Sequence, residues 1–419
     1  MSELLKPELR FPEFDEDWNE TTFDSHYSFK PTNSLSRDKL NYEAGTVKNI
    51  HYGDIHTEFD LLFDVTEEKV PFINDDINID NIDDENYVQK GDLVIADASE
   101  DYADIGKAIE VVNTNNECLL AGLHTFLARR EDDEVAEGFF AFLLNTYKAR
   151  YEIMRIAQGT KVLGLSKNRL GEIPLYIPEP EEQQKIANFL KAIDKRIKLL
   201  KAKKEALEDY KTSIMQKLFA QEIRFKQENG SDFPEWEEKK ISEVANINGG
   251  GTPSTSIKEY WNGDINWFTP TEINARYSYG SERKITESGL SHSSATLLPI
   301  NSILFTSRAT VGEVSITKEI CSTNQGFQSF IVQKENDVNF IYYWIKVNKK
   351  KFLRVATGTT FIEVSKKEIE KLTILRPEYN EQVAIGSFLQ RIDERIDVIS
   401  NAYDNHHSFK QSLLQKMFM

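Results

Sequence analysis

The chain repeats itself at a fixed distance. Ala157-x-Gly159-Thr160 through Phe219 aligns without a gap, at a constant offset of 199 positions, with Ala356-x-Gly358-Thr359 through Phe418. Identical pairs include Ser166/Ser365, Lys167/Lys366, Pro178/Pro377, Glu182/Glu381, Gln183/Gln382, Phe189/Phe388, Asp194/Asp393 and Arg196/Arg395. Solenoid repeats run to about 20–50 residues, so this period means one domain-plus-helix unit present twice. Two such copies in one chain favour a pseudo-two-fold object. A two-fold object suits a partner of matching symmetry, and duplex DNA is one.

Each copy ends in a long helix. Over 181–221 the apolar positions Ile186, Leu190, Ile193, Ile197, Leu200, Leu207, Ile214 and Leu218 alternate in steps of four and three, with Lys204 and Lys211 filling the two gaps. A 3.5-residue period predicts a coiled-coil seam. Over 381–419 the seam is Ile385, Leu389, Ile392, Ile396, Ile399, Tyr403, His406, Leu413 and Met417, with His407 flanking it. About 40 residues at ~1.5 Å each span roughly 60 Å. Because each helix follows its own globular domain, simple pairing makes them antiparallel. The expectation is a rod with a head at either end, and a ruler whose spacing changes if a heptad is inserted in one helix.

The heads occupy 1–178 and 223–378, and the helices 179–222 and 379–419. In the first head the apolar run Asp92-Leu93-Val94-Ile95 predicts a strand and 137–156 a helix. In the second, Ile265-Asn266-Trp267-Phe268, Ile303-Leu304-Phe305 and 326–332 predict strands and 339–355 a helix. Arg10-Phe11-Pro12-Glu13-Phe14 with Trp18 is echoed by Asp232-Phe233-Pro234-Glu235-Trp236. The fold class expected is α+β, two mixed globular domains joined by two long helices.

Charge limits the partners. The formal net charge is −17, but 35 acids and 14 bases lie in residues 1–160, against 33 and 37 in the rest. Runs such as Asp75-Asp76, Asp83-Asp84-Glu85 and Glu131-Asp132-Asp133-Glu134 are solubilising faces, or surfaces that repel DNA or attract a basic partner. No apolar run approaches the ~18 residues of a membrane span, and Met1–Lys6 reads as no secretory signal, so a cytoplasmic protein without a membrane partner is expected. Cys118 and Cys321, far apart in different repeats, read as reduced thiols.

Four motif groups are specific in combination. They are Pro178…Glu182-Gln183 with Pro377…Glu381-Gln382; Gly249-Gly250-Gly251-Thr252-Pro253-Ser254 followed by Tyr260-Trp261-Asn262-Gly263-Asp264-Ile265-Asn266-Trp267; Ser307-Arg308-Ala309-Thr310-Val311-Gly312 with Asn324-Gln325-Gly326; and, in the first head, Ile50-His51-Tyr52-Gly53-Asp54-Ile55-His56, Gly91-Asp92, Asp97-Ala98-Ser99-Glu100-Asp101-Tyr102 and Gly122-Leu123-His124-Thr125. Across essentially its whole length the chain resembles the specificity subunit of type I restriction–modification enzymes.

That resemblance implies two target-recognition domains, each reading one block of a bipartite, asymmetric site in double-stranded DNA, with the coiled coil setting the gap. It implies two methyltransferase subunits as partners, carrying S-adenosylmethionine and methylating adenine N6. Restriction (motor–nuclease) subunits, carrying ATP and Mg, are the other partners implied. The chain itself is then a non-catalytic reader holding no cofactor or metal.

Duplex readout draws on Arg, Lys, Asn, Gln, Ser and Thr on loops. In the second head Thr252, Ser254, Thr255, Ser256 and Lys258 form such a loop, with Trp261 and Trp267 as candidates to line the same face. Arg308 suits a guanine edge and equally a salt bridge to Glu313 or Glu272. Gln325 suits readout and turn chemistry alike. The glycine run lacks the Gly-Lys-Ser/Thr ending of a nucleotide-binding loop and reads as a loop that lets backbone approach DNA, or as a tight turn. In the first head the scarce bases Lys30, Arg37, Lys39, Lys48 and Lys107 are the phosphate-facing candidates, with a solvated face as the alternative. His51, Tyr52 and His56 edge a strand and either touch DNA or pack internally; with Asp54 they match no standard metal spacing. No Walker loop, serine-hydrolase elbow, His-Glu-x-x-His or adenine-methylation motif occurs. The competing readings are a coiled-coil tether with two protein-binding heads and no DNA role, and a hydrolase using one of many carboxylate pairs.

Overall fold

The computed structural model describes residues 6–131, 134–358 and 362–418. Residues 1–5, Asp132 and Asp133 of the acidic run, Thr359 of the repeated motif, and Met419 lie outside the described residues. The chain divides into two compact units: Met1–Lys201 with Asn401–Met419, and Ala202–Ser400.

Unit 1 is built on strands β1 (Tyr27–Lys30), β2 (Leu62–Asp64), β3 (Leu93–Ala96), β4 (Ala108–Asn113) and β5 (Thr125–Arg130), in spatial order β1-β5-β3-β4-β2. Only β2 and β4 run parallel; the other neighbours are antiparallel. The run Leu93-Val94-Ile95-Ala96 forms β3 because every side chain in it is buried, as a central strand covered on both faces requires. One face packs on Trp18, Phe23, Tyr27, Phe139, Phe140 and Phe142, the other on Ile50, Phe63, Val65 and Leu119.

Unit 2 repeats the plan. Strands β6 (Ala245–Gly249), β7 (Tyr277–Ser278), β8 (Ile303–Phe305), β9 (Val314–Thr317) and β10 (Gln328–Val332) lie in the order β6-β10-β8-β9-β7, with β7 and β9 again the parallel pair. Each unit also pairs a short strand that precedes this sheet in sequence with the segment before the long helix: Asn19–Thr22 with Pro174–Ile177, and Glu237–Lys240 with Thr373–Arg376.

The helices expected over 137–156 and 339–355 are each broken in two: α1 (Phe139–Leu144) and α2 (Tyr147–Ile156), then α4 (Val338–Val347) and α5 (Lys349–Val355). Asparagine causes both breaks. The Asn145 amide donates to the Ala141 carbonyl and the Asn348 amide to Trp344, capping one helix while the chain turns into the next.

Between these pairs in sequence lies the long helix α3 (Pro180–Phe219); the second long helix is α6 (Tyr379–Lys416). The repeated Glu-Gln dipeptide fixes where each begins. Gln183 donates to the Pro178 carbonyl at 2.8 Å and accepts from Ala136 N; Gln382 donates to Pro377 at 2.9 Å and accepts from Asp337 N. Glu182, 1% exposed, is held by both arms of the Arg10 guanidinium at 2.7 and 2.8 Å. Glu381, fully buried, is held by Arg224 at 2.9 and 3.1 Å and by the Trp236 indole at 3.0 Å. These carboxylates raise the affinity of Arg10 and Arg224 for their protons, through hydrogen bonding first. The echo of Arg10-Phe11 is therefore Arg224-Phe225, not Asp232-Phe233: Phe11 meets Phe189 edge-on at 5.8 Å, and Phe225 meets Phe388 at 5.5 Å.

Within unit 2, Lys204 donates to Ser400 and Lys211 pairs with Asp393, so seven residues forward on α3 are seven residues back on α6. Asp393 also accepts from Tyr343, and Arg276 bonds that tyrosine at 2.6 Å and Asn339 at 2.8 Å. Lys204 and Lys211 thus fill seam positions by finding oxygen partners while half-buried. Within unit 1, Lys410 pairs with Asp194 at 2.6 Å, and Leu413, Met417 and Phe418 join Ile186, Leu190 and Ile193 in one core. Phe418 packs edge-on against Trp18 at 6.1 Å, and Leu9 N donates to the Lys416 carbonyl at 2.8 Å. His406, half-buried on α6, bonds the Ala402 carbonyl.

Candidate nucleic-acid interface

In each unit the same main-chain bonds draw loops from distant parts of the sequence to one place. In unit 1, Asn33 N donates to Ala121, Gly122 N to Ile50, Asp97 N to His124 and Leu165 N to Asp97. In unit 2 the counterparts are Gly251 N to Thr323, Asn324 N to Phe268, Ser307 N to Gly326 and Val364 N to Ser307. Described residues that follow the repeated Ala-x-Gly-Thr motif sit on this cluster in both units. Leu163–Gly164 pairs with Ala98–Ser99, and Glu363 bridges Arg308. Three of the four motif groups singled out in the sequence converge here, while the Glu-Gln group anchors the helices.

The shared frame carries unlike side chains. In unit 2, Thr252, Ser254, Thr255, Ser256 and Lys258 are all exposed, and Lys258 makes no ion pair among the described residues. Thr252 bonds the exposed Gln325 through its hydroxyl. Ser254 and Ser256 bond each other at 2.8 Å. Trp261 and Trp267 do not line the face. They are buried, and their indole N–H groups donate to the carbonyls of Ser254 and Gly251, fixing the loop from below. Arg283, which sequence reasoning missed, stacks its guanidinium on Trp261 at 3.7 Å; only the fold reveals that pairing.

A Cβ on Gly250 would collide with the Asn324 carbonyl and the Thr323 side chain, and one on Gly251 with Ser294 and Ala295. Arg308 pairs with Glu363 at 3.7 Å rather than with Glu313 or Glu272. Lys349 takes Glu313 at 2.5 Å, and Glu272 caps Thr269 at 2.7 Å. Beside Arg308, the exposed Ala309 holds a left-handed backbone, φ 64.

Unit 1 is electrostatically different, because each of its candidate bases faces a carboxylate. Lys30 lies 3.8 Å from Glu85, Arg37 grips Asp54 at 2.6 and 2.9 Å, Lys39 meets Asp38 at 3.6 Å, Lys48 meets Glu117 at 2.5 Å, and Lys107 meets Asp104 at 2.6 Å. Lys48 is also largely buried, over Phe72. The hydrogen bonds that Arg37 donates to Asp54 push its pKa up. His51 is buried and caps the helix Tyr52–Thr57 by accepting from Gly53 N at 3.1 Å; burial and then Arg37 push its pKa down. His56 lies 3.2 Å from the Ala98 carbonyl. The Tyr52 ring is surrounded by His51 at 4.7 Å, His124 at 5.3 Å and His56 at 5.8 Å. Among the described residues no group of His, Cys, Asp and Glu is placed to hold a metal ion. Burial raises the pKa of the Cys321 thiol to about 11, while Cys118 is exposed.

Comparison with known proteins matches this duplicated arrangement. The family described as Type I restriction modification DNA specificity domain matches residues 53–209 and again 234–404. The MjaIX type I restriction enzyme specificity subunit of Methanocaldococcus jannaschii is 37% identical over 185 residues, 43% of this chain and 43% of that one. The chain thus spans under half the length of that relative. The putative MjaX specificity subunit of the same organism is 24% identical over 386 residues, 88% of this chain and 84% of that one. The EcoR124I/EcoR124II specificity subunit of Escherichia coli is 30% identical over 184 residues, 42% of this chain and 45% of that one. In fold, the chain resembles the crystal structure of the S subunit of a type I restriction-modification system from M. genitalium, with TM-score 0.62 at 15% identity over 99% of both chains. A structure from work on assembly and conformational transition of the type I R-M system gives TM-score 0.54 at 15% identity, over 95% of this chain and 96% of that one. With the domain matched twice, over two stretches that together cover most of its length, the chain belongs to the type I restriction modification DNA specificity domain family.

Proposed function

We propose that this chain is the DNA-reading subunit of a type I restriction–modification complex. Its two target-recognition domains, 1–178 and 223–378, each read one block of a bipartite, asymmetric duplex site. The observation that carries this reading is the loop cluster itself. The same main-chain frame is built twice, and the side chains mounted on it differ, as readers of two different half-sites require. The helices 179–222 and 379–419 act as an antiparallel coiled coil that sets the unspecified gap, and the duplication makes the chain pseudo-two-fold. The seven-residue steps between Lys204–Ser400 and Lys211–Asp393 support that pairing.

In this reading the chain is non-catalytic and cytoplasmic. Two methyltransferase subunits bring S-adenosylmethionine to it, and restriction subunits bring ATP and Mg. No described helix is long and apolar enough to cross a membrane. Methylome sequencing of host cells with and without the chain tests the function. The expected result is loss of every adenine mark at one bipartite motif on deletion, with return on complementation. Unchanged marks overturn the proposal.

A further inference from the structure

The loop cluster of unit 1 contains a histidine held as a polar probe. His124 sits between Gly122-Leu123 and β5, where its main-chain carbonyl accepts from Asp97 N at 3.0 Å. Its backbone is left-handed, φ 54. A non-glycine residue in that region is strained and persists only where its surroundings over-determine it; such residues gather at functional sites. The side chain is half exposed, and its Nδ1 lies 3.3 Å from the Asp97 carboxylate, which is itself only a quarter exposed. The Tyr52 ring meets it edge-on at 5.3 Å. A carboxylate facing Nδ1 fixes the ring proton there, leaving Nε2 as an acceptor. Nε2 has no hydrogen-bond partner among the described residues.

Two of the candidate bases of unit 1, Arg37 and Lys107, are committed to Asp54 and Asp104. In unit 2 the matching position is Gly326, and the polar groups near it are Arg308 and Gln325. The two clusters therefore present opposite chemistry at one place in the frame: an imidazole acceptor in unit 1, a guanidinium and an amide in unit 2.

Resting on the DNA-reading function above, we propose that His124 is a specificity-determining residue of unit 1, its Nε2 accepting a hydrogen bond from the exocyclic amine of an adenine or cytosine in that unit's half-site. In the major groove only adenine N6 and cytosine N4 offer such a donor. Asp97 and Tyr52 are positioning residues that hold the ring.

The test is methylome sequencing of cells in which the full chain, with its methyltransferase partner, carries His124→Gly. Glycine suits φ 54, where alanine would keep the strain. One position of one half-site should lose its base preference by about tenfold. The other half-site and the gap should stay as in the parent. Gln325→Ala, made in parallel, should alter only the opposite half-site. An unchanged motif overturns the proposal, as does relaxation in the half-site that Gln325→Ala also alters. Loss of all methylation, whether or not the purified variant melts at a lower temperature, makes His124 structural and also overturns it. Marks that never depended on the chain refute the function proposed above; marks that depend on the chain but not on His124 refute only this assignment.

Discussion

Glu182 and Glu381 are held in the same way in the two units. Each is buried, takes two charge-assisted bonds from an arginine, and sits in the first turn of a long helix, where a negative charge is favoured. Removing one partner of a buried pair strands the other charge. Glu381→Ala, which also orphans the Trp236 indole, should cost about 3–5 kcal/mol, and Glu182→Ala a similar amount. Glu181→Ala, exposed on the same turn, should stay within about 0.5 kcal/mol of the parent. Denaturant unfolding of the full chain separates these cases, and equal effects at Glu181 and Glu182 would contradict the assigned roles. The importance of these residues is legible in the sequence, because they recur at an offset of 199. Their partners are not. Arg10 and Arg224 stand outside the gapless repeat, and only the fold brings them to the glutamates.

At the scale of elements, the long helices were the most readable part of the chain. A seam alternating by fours and threes specifies which face is buried without knowledge of the partner. Ile186, Leu190, Leu200, Ile385, Leu389 and Leu413 are all buried. The breaks at Asn145 and Asn348 were hidden, since an asparagine inside an apolar helical run shows no sign that its amide will close the turn behind it. The candidate interface was legible only in part. The motifs that converge were visible, but whether a lysine is free depends on which carboxylate the fold sets beside it. Lys48 and Lys258 look alike in sequence; one is half-buried against Glu117, the other is exposed. The helix contacts also refine the ruler. A heptad in α3 alone, between Asp194 and Lys211, would break either Asp194–Lys410 or Lys211–Asp393, so seven residues must enter both helices, after Lys201 and after Ser400. Methylome sequencing should then show an unchanged pair of half-sites with a longer gap. An unchanged gap would remove the ruler.

For the whole molecule the decisive quantity is charge. The chain carries −17, and the five candidate bases of unit 1 each face one of its own acids. Counterion release from phosphate contacts supplies much of DNA affinity, and a net negative chain opposes it. Alone at physiological salt it should bind duplex DNA weakly. Adding a methyltransferase partner should produce tight, sequence-selective binding. Fluorescence anisotropy over a salt series with and without that partner measures both states, and tight selective binding by the chain alone would contradict the expectation.

The return of residues 401–418 to the core of unit 1 carries a consequence for biogenesis. On the ribosome residues 1–201 emerge first, yet Trp18 and Phe139 must wait for Phe418, made after the whole of unit 2. The unit encoded later, 202–400, has all its parts before residues 401–418 are made. The order of completion is therefore the reverse of the order of synthesis, and the earlier-made half keeps an open aromatic socket until the last turn of helix arrives.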